Sequence, residues 1–335
     1  MKILYHLPVL PPKLPSAEAL SQEINGLRAV FGGEINYLNP NQQSPIYLPR
    51  LLFGFHQLCH IRAVEQTLDL HHFYNPDPFP FPILRFFKRP VIYSLSSGVG
   101  DKRPNLAYFR RLTAVTVYDQ LSLEKLQNWG LTNVHLVQSG IDTSRFSFTA
   151  VPLKDEIRLM VASAPWTSAQ FRSKGIDALL AAAQQMPNLR LVFLWRGELL
   201  DEMMRRVQEK SLSEQVQVID ELVDVNQILA TVHGTLNLVT ETAVIKAYPH
   251  SLLDSLAAGK PIITSRAIGM AGYVEQTGCG VVVEQVTPDG IVAAIERLVV
   301  EYEVMGETAV RVGQRDFTLQ KMIDSWQTVY KQIVK

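Results

Sequence analysis

Residues 246–265, KAYPHSLLDSLAAGKPIITS, hold a lysine, a Pro-His-Ser turn, an apolar helical stretch with one aspartate, and a turn into a β-branched strand. This is the αβ corner of a parallel α/β unit. A plain core helix needs neither Lys246 just before its start nor Asp254 one turn inside it.

Outward from this corner the same alternation runs through the chain. Toward the N-terminus of the second half lie strand 157–163 (IRLMVAS), helix 174–186, strand 189–195, helix 198–210, strand 216–220, helix 224–232 and strand 235–239. After the corner come a short helix near Ala271, strand 280–284 and terminal helices. The first half repeats the pattern with KILYHL, a helix 16–31 capped by Ser16, EINYLN, a helix 49–66, LHHFYN, PVIYSLS, AVTVYD, helix 121–130 and NVHLVQ. Continuous β-branched runs alternating with helices mean parallel sheets covered on both faces. Two such series predict an α/β protein of two doubly wound, Rossmann-like domains facing a cleft. Ligands belong there at the carboxyl ends of the strands.

In that frame strand 235–239 feeds the loop TETAVIKAYPH, so the helix starts at the carboxyl edge of the second sheet. Backbone N–H groups of His250, Ser251 and Leu252, with the helix dipole, would suit a phosphate, and Lys246 would add a full charge. Asp254 would face the cleft and accept from ribose hydroxyls. A simpler alternative has Ser251 capping the helix and Asp254 complementing its dipole.

A length of 335 residues favours two domains over one large barrel. With 47% hydrophobic and 19% charged residues the chain reads as globular. Cys59 and Cys279 have no metal-ligand spacing and suit a reducing compartment. MKILYHLPVLPPKLP lacks a cleavage pattern, and no apolar run approaches the roughly 20 residues of a membrane span, so the expected location is cytoplasmic. Net charge is zero but uneven. Residues 1–150 hold 14 Lys and Arg against 10 Asp and Glu, and the excess concentrates between Arg85 and Arg111. An anionic partner such as a membrane surface, or a merely solvated face, would account for it. No phosphate-loop or dinucleotide fingerprint occurs, and nothing points to nucleic acid. His71, His72 and Asp77 fit no usual metal set, and His6 suits a packing role as well as a cleft.

Three further stretches carry a resemblance. VQSGIDTSRF (137–146), SKGIDALLAAAQQMPNLRLVFLWRG (173–197) and FTLQKMIDSWQTVYKQI (317–333), with the 246–265 corner, resemble in order the group 1 glycosyltransferases of the GT-B fold, the glycogen synthase and sucrose synthase relatives. The resemblance implies a first domain at 1–148 and a donor domain at 149–316. The terminal helix, 317–335, crosses back to the first. It implies Lys174 as the diphosphate lysine and Asp254 as the second glutamate of the family's pair. Lys246 stands at the position of the first. Other positions depart. PPKLPSAEA, with Pro15 and Ser16, replaces the family's glycine loop. Ser96 stands for its histidine, and Ala169 for an arginine that Arg172 would replace.

The implied function is retaining, metal-independent transfer of a sugar from a nucleotide diphosphate, UDP-sugar preferred, to a glycan or lipid-linked acceptor. No cofactor is expected. Lys174, Arg172 and the 250–252 amides would hold the diphosphate, and Lys246 and Asp254 would complete the donor site. Backbone at 218–223 would hold the base, and Ser16, Ser96, Arg196 and Glu241 would line the cleft. A sugar-nucleotide epimerase on the same fold and a non-catalytic binding subunit remain the alternatives.

Overall fold

The computed structural model describes residues 1–12, 18–41, 47–195, 199–242 and 244–334. The chain divides into two compact units, one of residues 1–140 with 319–335, the other of residues 141–318.

The first unit runs β1 (Ile3–Leu7), α1 (Ala19–Phe31), β2 (Glu34–Tyr37), α2 (Leu58–Glu65), β3 (Leu70–Asn75), β4 (Val91–Leu95), α3 (Leu106–Phe109), β5 (Ala114–Val117), α4 (Gln120–Asn128) and β6 (Val134–Leu136). The strands pair in parallel in the order β2-β1-β3-β4-β5-β6. Every residue of β1, β3 and β4 is buried, as strands covered on both faces must be. The C-terminal helix, Leu319–Ile333, completes this unit. Its Trp326 and Tyr330 are buried beside His72, and the Tyr330 hydroxyl lies 2.7 Å from His72 Nδ1. Gly26 of α1 lets the two helices approach, since a Cβ there would meet Leu319 Cδ1 at 2.7 Å.

Three local expectations change. The helix after the first strand begins at Ala19 and is capped by Glu18, whose carboxylate accepts from the Ser21 amide. Ser16 lies outside the described residues. The run 49–66 is not one helix. It forms 3-10 turns at Arg50–Leu52 and Phe55–Gln57 before α2, broken at Gly54, whose φ of +85° no other residue adopts easily. Lys174 does not begin a helix; it ends one, for the reason given below.

The second unit runs β7 (Ile157–Val161), α5 (Ala169–Ser173), α6 (Ile176–Gln185), β8 (Leu189–Leu194), α7 (Leu200–Glu209), β9 (Val216–Ile219), α8 (Val225–Leu229), β10 (Gly234–Asn237), α9 (His250–Ala257), β11 (Ile262–Ser265), α10 (Ala271–Thr277), β12 (Gly280–Val283), α11 (Pro288–Val300) and α12 (Tyr302–Asp316); the C-terminal helix is α13. All six strands are parallel, in the order β12-β11-β10-β7-β8-β9. Two apolar clusters cover the faces of this sheet. Leu179, Leu180, Ile291 and Ile295 belong to one, Leu252, Leu253, Leu256 and Val312 to the other. The order reverses between β7 and β10, and ligands of doubly wound sheets gather outside the carboxyl ends of such a pair.

Candidate functional site

The loops leaving β7 and β10 are held together by one turn. Helix α5 ends at Lys174 because Gly175 takes φ +68°, after which α6 starts in a new direction. A Cβ at Gly175 would sit 2.8 Å from both Cβ and the carbonyl oxygen of Leu238, so glycine is required by space as well as by backbone angle. The Lys174 ammonium donates to the carbonyl of Ala164, in the loop after β7, at 2.7 Å. One residue earlier, the Ser173 carbonyl accepts from the Thr240 amide, in the loop after β10, at 2.9 Å. A buried lysine thus stands at the point where the strand order reverses.

Lys174 is only 9% exposed, and burial pulls its ammonium down to about 8. It remains charged near neutrality with one carbonyl as its hydrogen-bond partner. A desolvated cation of this kind gains from an arriving anion. Arg172, two residues before it, is exposed, while Phe171, just before Arg172, is buried under the guanidinium of Arg206 at 4.2 Å.

The loop after β10 is also tied to β11. Ser265 Oγ accepts from the Val239 amide at 2.9 Å and lies 2.7 Å from the Val239 carbonyl, to which it donates. Glu241, beyond Thr240, is exposed. The chain then reaches α9 through Lys246, which is half-buried, and Pro249, whose extended backbone is the N-cap. The amides of Leu252 and Leu253 both donate to the Pro249 carbonyl, at 3.0 and 3.2 Å. Leu252 is therefore removed from the expected set of phosphate-binding amides; His250 and Ser251 remain, with no backbone acceptor among the described residues.

The simpler account of this helix start does not hold. No side chain caps α9, so Ser251 is a second-position residue and not the cap. No acidic residue lies in the first turn, and Asp254 sits one position beyond it, where the helix dipole has little hold. Asp254 is half-buried among Leu252, Leu253, Ser255 and Leu256, all buried. The His250 imidazole is buried, and neither ring nitrogen has a partner among the described residues. Burial, and then the nearby Lys246 charge, holds it neutral, well below the usual histidine range.

In the first unit Ser96 is buried just after β4, its amide bonded to the Asn75 carbonyl at 3.0 Å. A cluster not anticipated from the sequence surrounds Asn75. Arg50 pairs with Asp77, donates to Asn75 Oδ1 at 2.8 Å and lies 4.4 Å over the Phe79 ring. The only sequence signal was the NPDPFPFP run after β3. His71 and His72 do not converge on a metal site. His71 Nε2 is 3.0 Å from Glu65 Oε1, whereas His72 Nε2 is 2.7 Å from Ser94 Oγ on the other face of the sheet. Arg196 and Ser16 fall outside the described residues, and the strand 218–223 region leaves β9 at Ile219.

Position separates Lys174 from another buried lysine. Lys260, 1% exposed and also brought to about 8 by burial, donates to the Thr149 carbonyl. It precedes β11, at the amino end of the sheet, where it fastens the segment entering this unit. Burial alone does not mark a ligand site; the carboxyl edge does.

Residues 164–315, which include Lys174, Lys246 and Asp254, match the family model of the glycosyl transferases group 1. No curated protein matches the chain in sequence. Among solved structures the chain is similar to a sucrose-phosphate synthase from Thermosynechococcus elongatus, at TM-score 0.73 and 15% identity, over 99% of this chain and 98% of that one. It is similar to a glycosyltransferase from Rickettsia africae, at TM-score 0.72 and 12% identity over 100% and 98%. It also resembles HepE from Anabaena in complex with UDP and glucose, at TM-score 0.72 and 13% identity over 99% and 100%. Residues 164–315 of the second unit thus resemble the group 1 glycosyl transferases, and the chain has two six-stranded parallel sheets, as in the GT-B fold.

Proposed function

We propose that the chain transfers a sugar from a nucleotide diphosphate donor, UDP-sugar preferred, to a glycan or lipid-linked acceptor, with retention at the anomeric carbon and without a metal ion. The observation that carries this reading is Lys174, a desolvated cation held on a glycine turn where the strand order of the second sheet reverses. The HepE complexes with UDP and with UDP-glucose support the choice of donor.

In this reading Lys174, Arg172 and the amides of His250 and Ser251 hold the diphosphate. They stabilise the charge that grows on it as the bond from its oxygen to the sugar C1 breaks. The acceptor oxygen forms the new bond to C1 on the same face, and its proton passes to the departing phosphate oxygen. Lys246 adds to the positive field or contacts the sugar, and Asp254 accepts from the ribose hydroxyls. Backbone at 218–223 holds the base edge, and Glu241 and Arg196 border the donor. Ser16 and Ser96 belong to the acceptor side, in the first unit. The enzyme works in the cytoplasm, and exposed cations within the run from Arg85 to Arg111 meet an anionic membrane. No helix among the described residues is long and apolar enough to cross one.

The test is thermal and kinetic. A ligand at a hundredfold its Kd stabilises the native state by about 2.7 kcal/mol, so millimolar UDP or a UDP-sugar should raise Tm by several degrees. Nucleotide release from a panel of UDP-, GDP- and ADP-sugars then identifies the donor. An unmoved melting curve with all three nucleotides would refute the reading. Binding without turnover would make the chain a binding subunit.

A further inference from the structure

The basic run does not form one face. Arg103 donates to the Trp129 carbonyl at 2.9 Å, and Arg110 to the Gly130 carbonyl at 3.0 and 3.2 Å. Both are engaged in closing the C-terminal end of α4. Arg85 and Lys88 differ: both are exposed and neither is in a salt bridge among the described residues, while Arg89, also exposed and outside any such salt bridge, donates to the carbonyls of Glu65 and Gln66 at 3.3 and 3.5 Å. Beside them, large apolar side chains point to solvent. Phe86 is 44% exposed, and Leu51 and Leu52 are 51% and 44% exposed. They belong to neighbouring 3-10 turns, Arg50–Leu52 and Pro82–Phe86, and Phe86 also meets Phe55, of the turn Phe55–Gln57, edge to face at 5.6 Å.

The segment carrying the cations is fixed from below. The buried Glu65 carboxylate accepts from the amides of Lys88 and Arg89. Phe87 stacks on the His71 ring at 4.2 Å, so consecutive phenylalanines face opposite ways, one inward and one to solvent. Holding three apolar side chains out on braced backbone costs free energy unless something covers them.

We propose that Leu51, Leu52 and Phe86, with Arg85, Lys88 and Arg89, are a shallow anchor that docks the first unit on an anionic lipid bilayer. This deepens the lipid-side part of the reading above and rests on it for its purpose, though not for its binding. The chemistry selects a bilayer. The three side chains expose roughly a few hundred Å², well below the about 800 Å² per partner of a stable protein interface. The cations carry no paired carboxylates, which suits phosphate headgroups around an apolar wedge.

Co-sedimentation with phosphatidylcholine vesicles, with and without phosphatidylglycerol, tests this. The protein should bind the anionic vesicles at low salt and release at about 1 M salt, where the Debye length is about 3 Å. The triple variant Leu51→Ser, Leu52→Ser, Phe86→Ser should bind at least about tenfold more weakly. Arg85→Gln and Lys88→Gln should each cost about fivefold. All these positions are exposed, so melting curves and the UDP shift should match the wild type; an intact UDP shift also keeps this test separate from the donor reading. The proposal is overturned if the wild type ignores anionic vesicles at low salt, if the triple variant binds as well as wild type, or if neutral vesicles bind equally. A concentration-dependent dimer that the triple variant abolishes, without vesicle binding, would assign the patch to a second copy instead.

Discussion

Replacing Lys174 by methionine keeps the aliphatic stem and removes the ammonium. In the free protein burial sets that ammonium to about 8. A bound diphosphate puts negative charge beside it and raises the value again, so binding takes up a proton once the pH passes about 8. The protonated fraction falls from roughly nine-tenths at pH 7 to roughly one-tenth at pH 9, and UDP affinity should fall about tenfold over that interval. Lys174→Met should show no such fall, and at pH 7 it should bind UDP more weakly by about 1.5–3 kcal/mol, the contribution of a hydrogen bond to a charged group. Turnover should drop by about 10²–10³. Folding should move the other way. The folded value is depressed from 10.5, so the unfolded chain keeps its proton to higher pH and the buried ammonium costs the native state stability at neutral pH. Lys174→Met should therefore melt at or above the wild-type temperature. Titration calorimetry at pH 7 and 9 on both proteins decides it; ionisation of UDP itself is common to both and cancels. The same pH dependence in both proteins, or a Tm loss matching the affinity loss, would show that Lys174 serves only the fold.

Asp254→Ala should weaken UDP binding by about 1–2 kcal/mol, more than it weakens folding, since Asp254 neither caps α9 nor lies in its first turn; lower Tm with unaltered UDP affinity refutes the ribose role. Lys246→Ala should reduce turnover, and activity close to wild type would return Lys246 to the solvated surface. Acid should destabilise the first unit. Glu65 is held as a carboxylate, so His71 donates to it from Nε2, His6 donates from Nε2 to His71 Nδ1 at 2.9 Å, and His6 Nδ1 accepts from Asn36. Neither imidazole can take a second proton without setting two donors face to face, and burial lowers both below 6.5. A depressed folded value means stability is full above about 6.5 and declines below it, by about 1.4 kcal/mol per pH unit for each imidazole still neutral. The Glu65 contribution is lost lower still, as its value lies below 4.5. A Tm constant from pH 7.5 to 5 would contradict this chain.

The fold was legible because both sheets are parallel and covered. Runs such as LHHFYN and IRLMVAS lack the in–out alternation of half-exposed strands, and each recurs after a helical period. What escaped was local and had one cause, backbone breaks that periodicity does not register. The apolar spacing of 49–66 looks continuous, but Gly54 turns the chain so that Phe53 packs inward and Leu51 and Leu52 are left outside. The exposed wedge therefore read as part of one helix. The same blindness placed Lys174 at a helix start, since Gly175 separates two helices whose residues share one apolar rhythm.

The site was legible as residue types and illegible as roles. Lys246 before a helix and Asp254 inside it gave two readings of equal standing from spacing alone, and the difference lay in where the helix begins. With Pro249 as the N-cap and its carbonyl taken by Leu252 and Leu253, the start is two residues earlier than a Ser251 cap requires. That shift carries Asp254 out of the first turn and leaves two amides for an anion where three were expected. The lysines make the same point. Lys174 and Lys260 both follow a helix, both are buried and both are brought to about 8. Only topology distinguishes them, because the order β12-β11-β10-β7-β8-β9 puts one at the carboxyl edge where the order reverses and the other at the amino end of β11. Strand order is a long-range property, and it is strand order that turns a buried lysine from a fastening into a binding group.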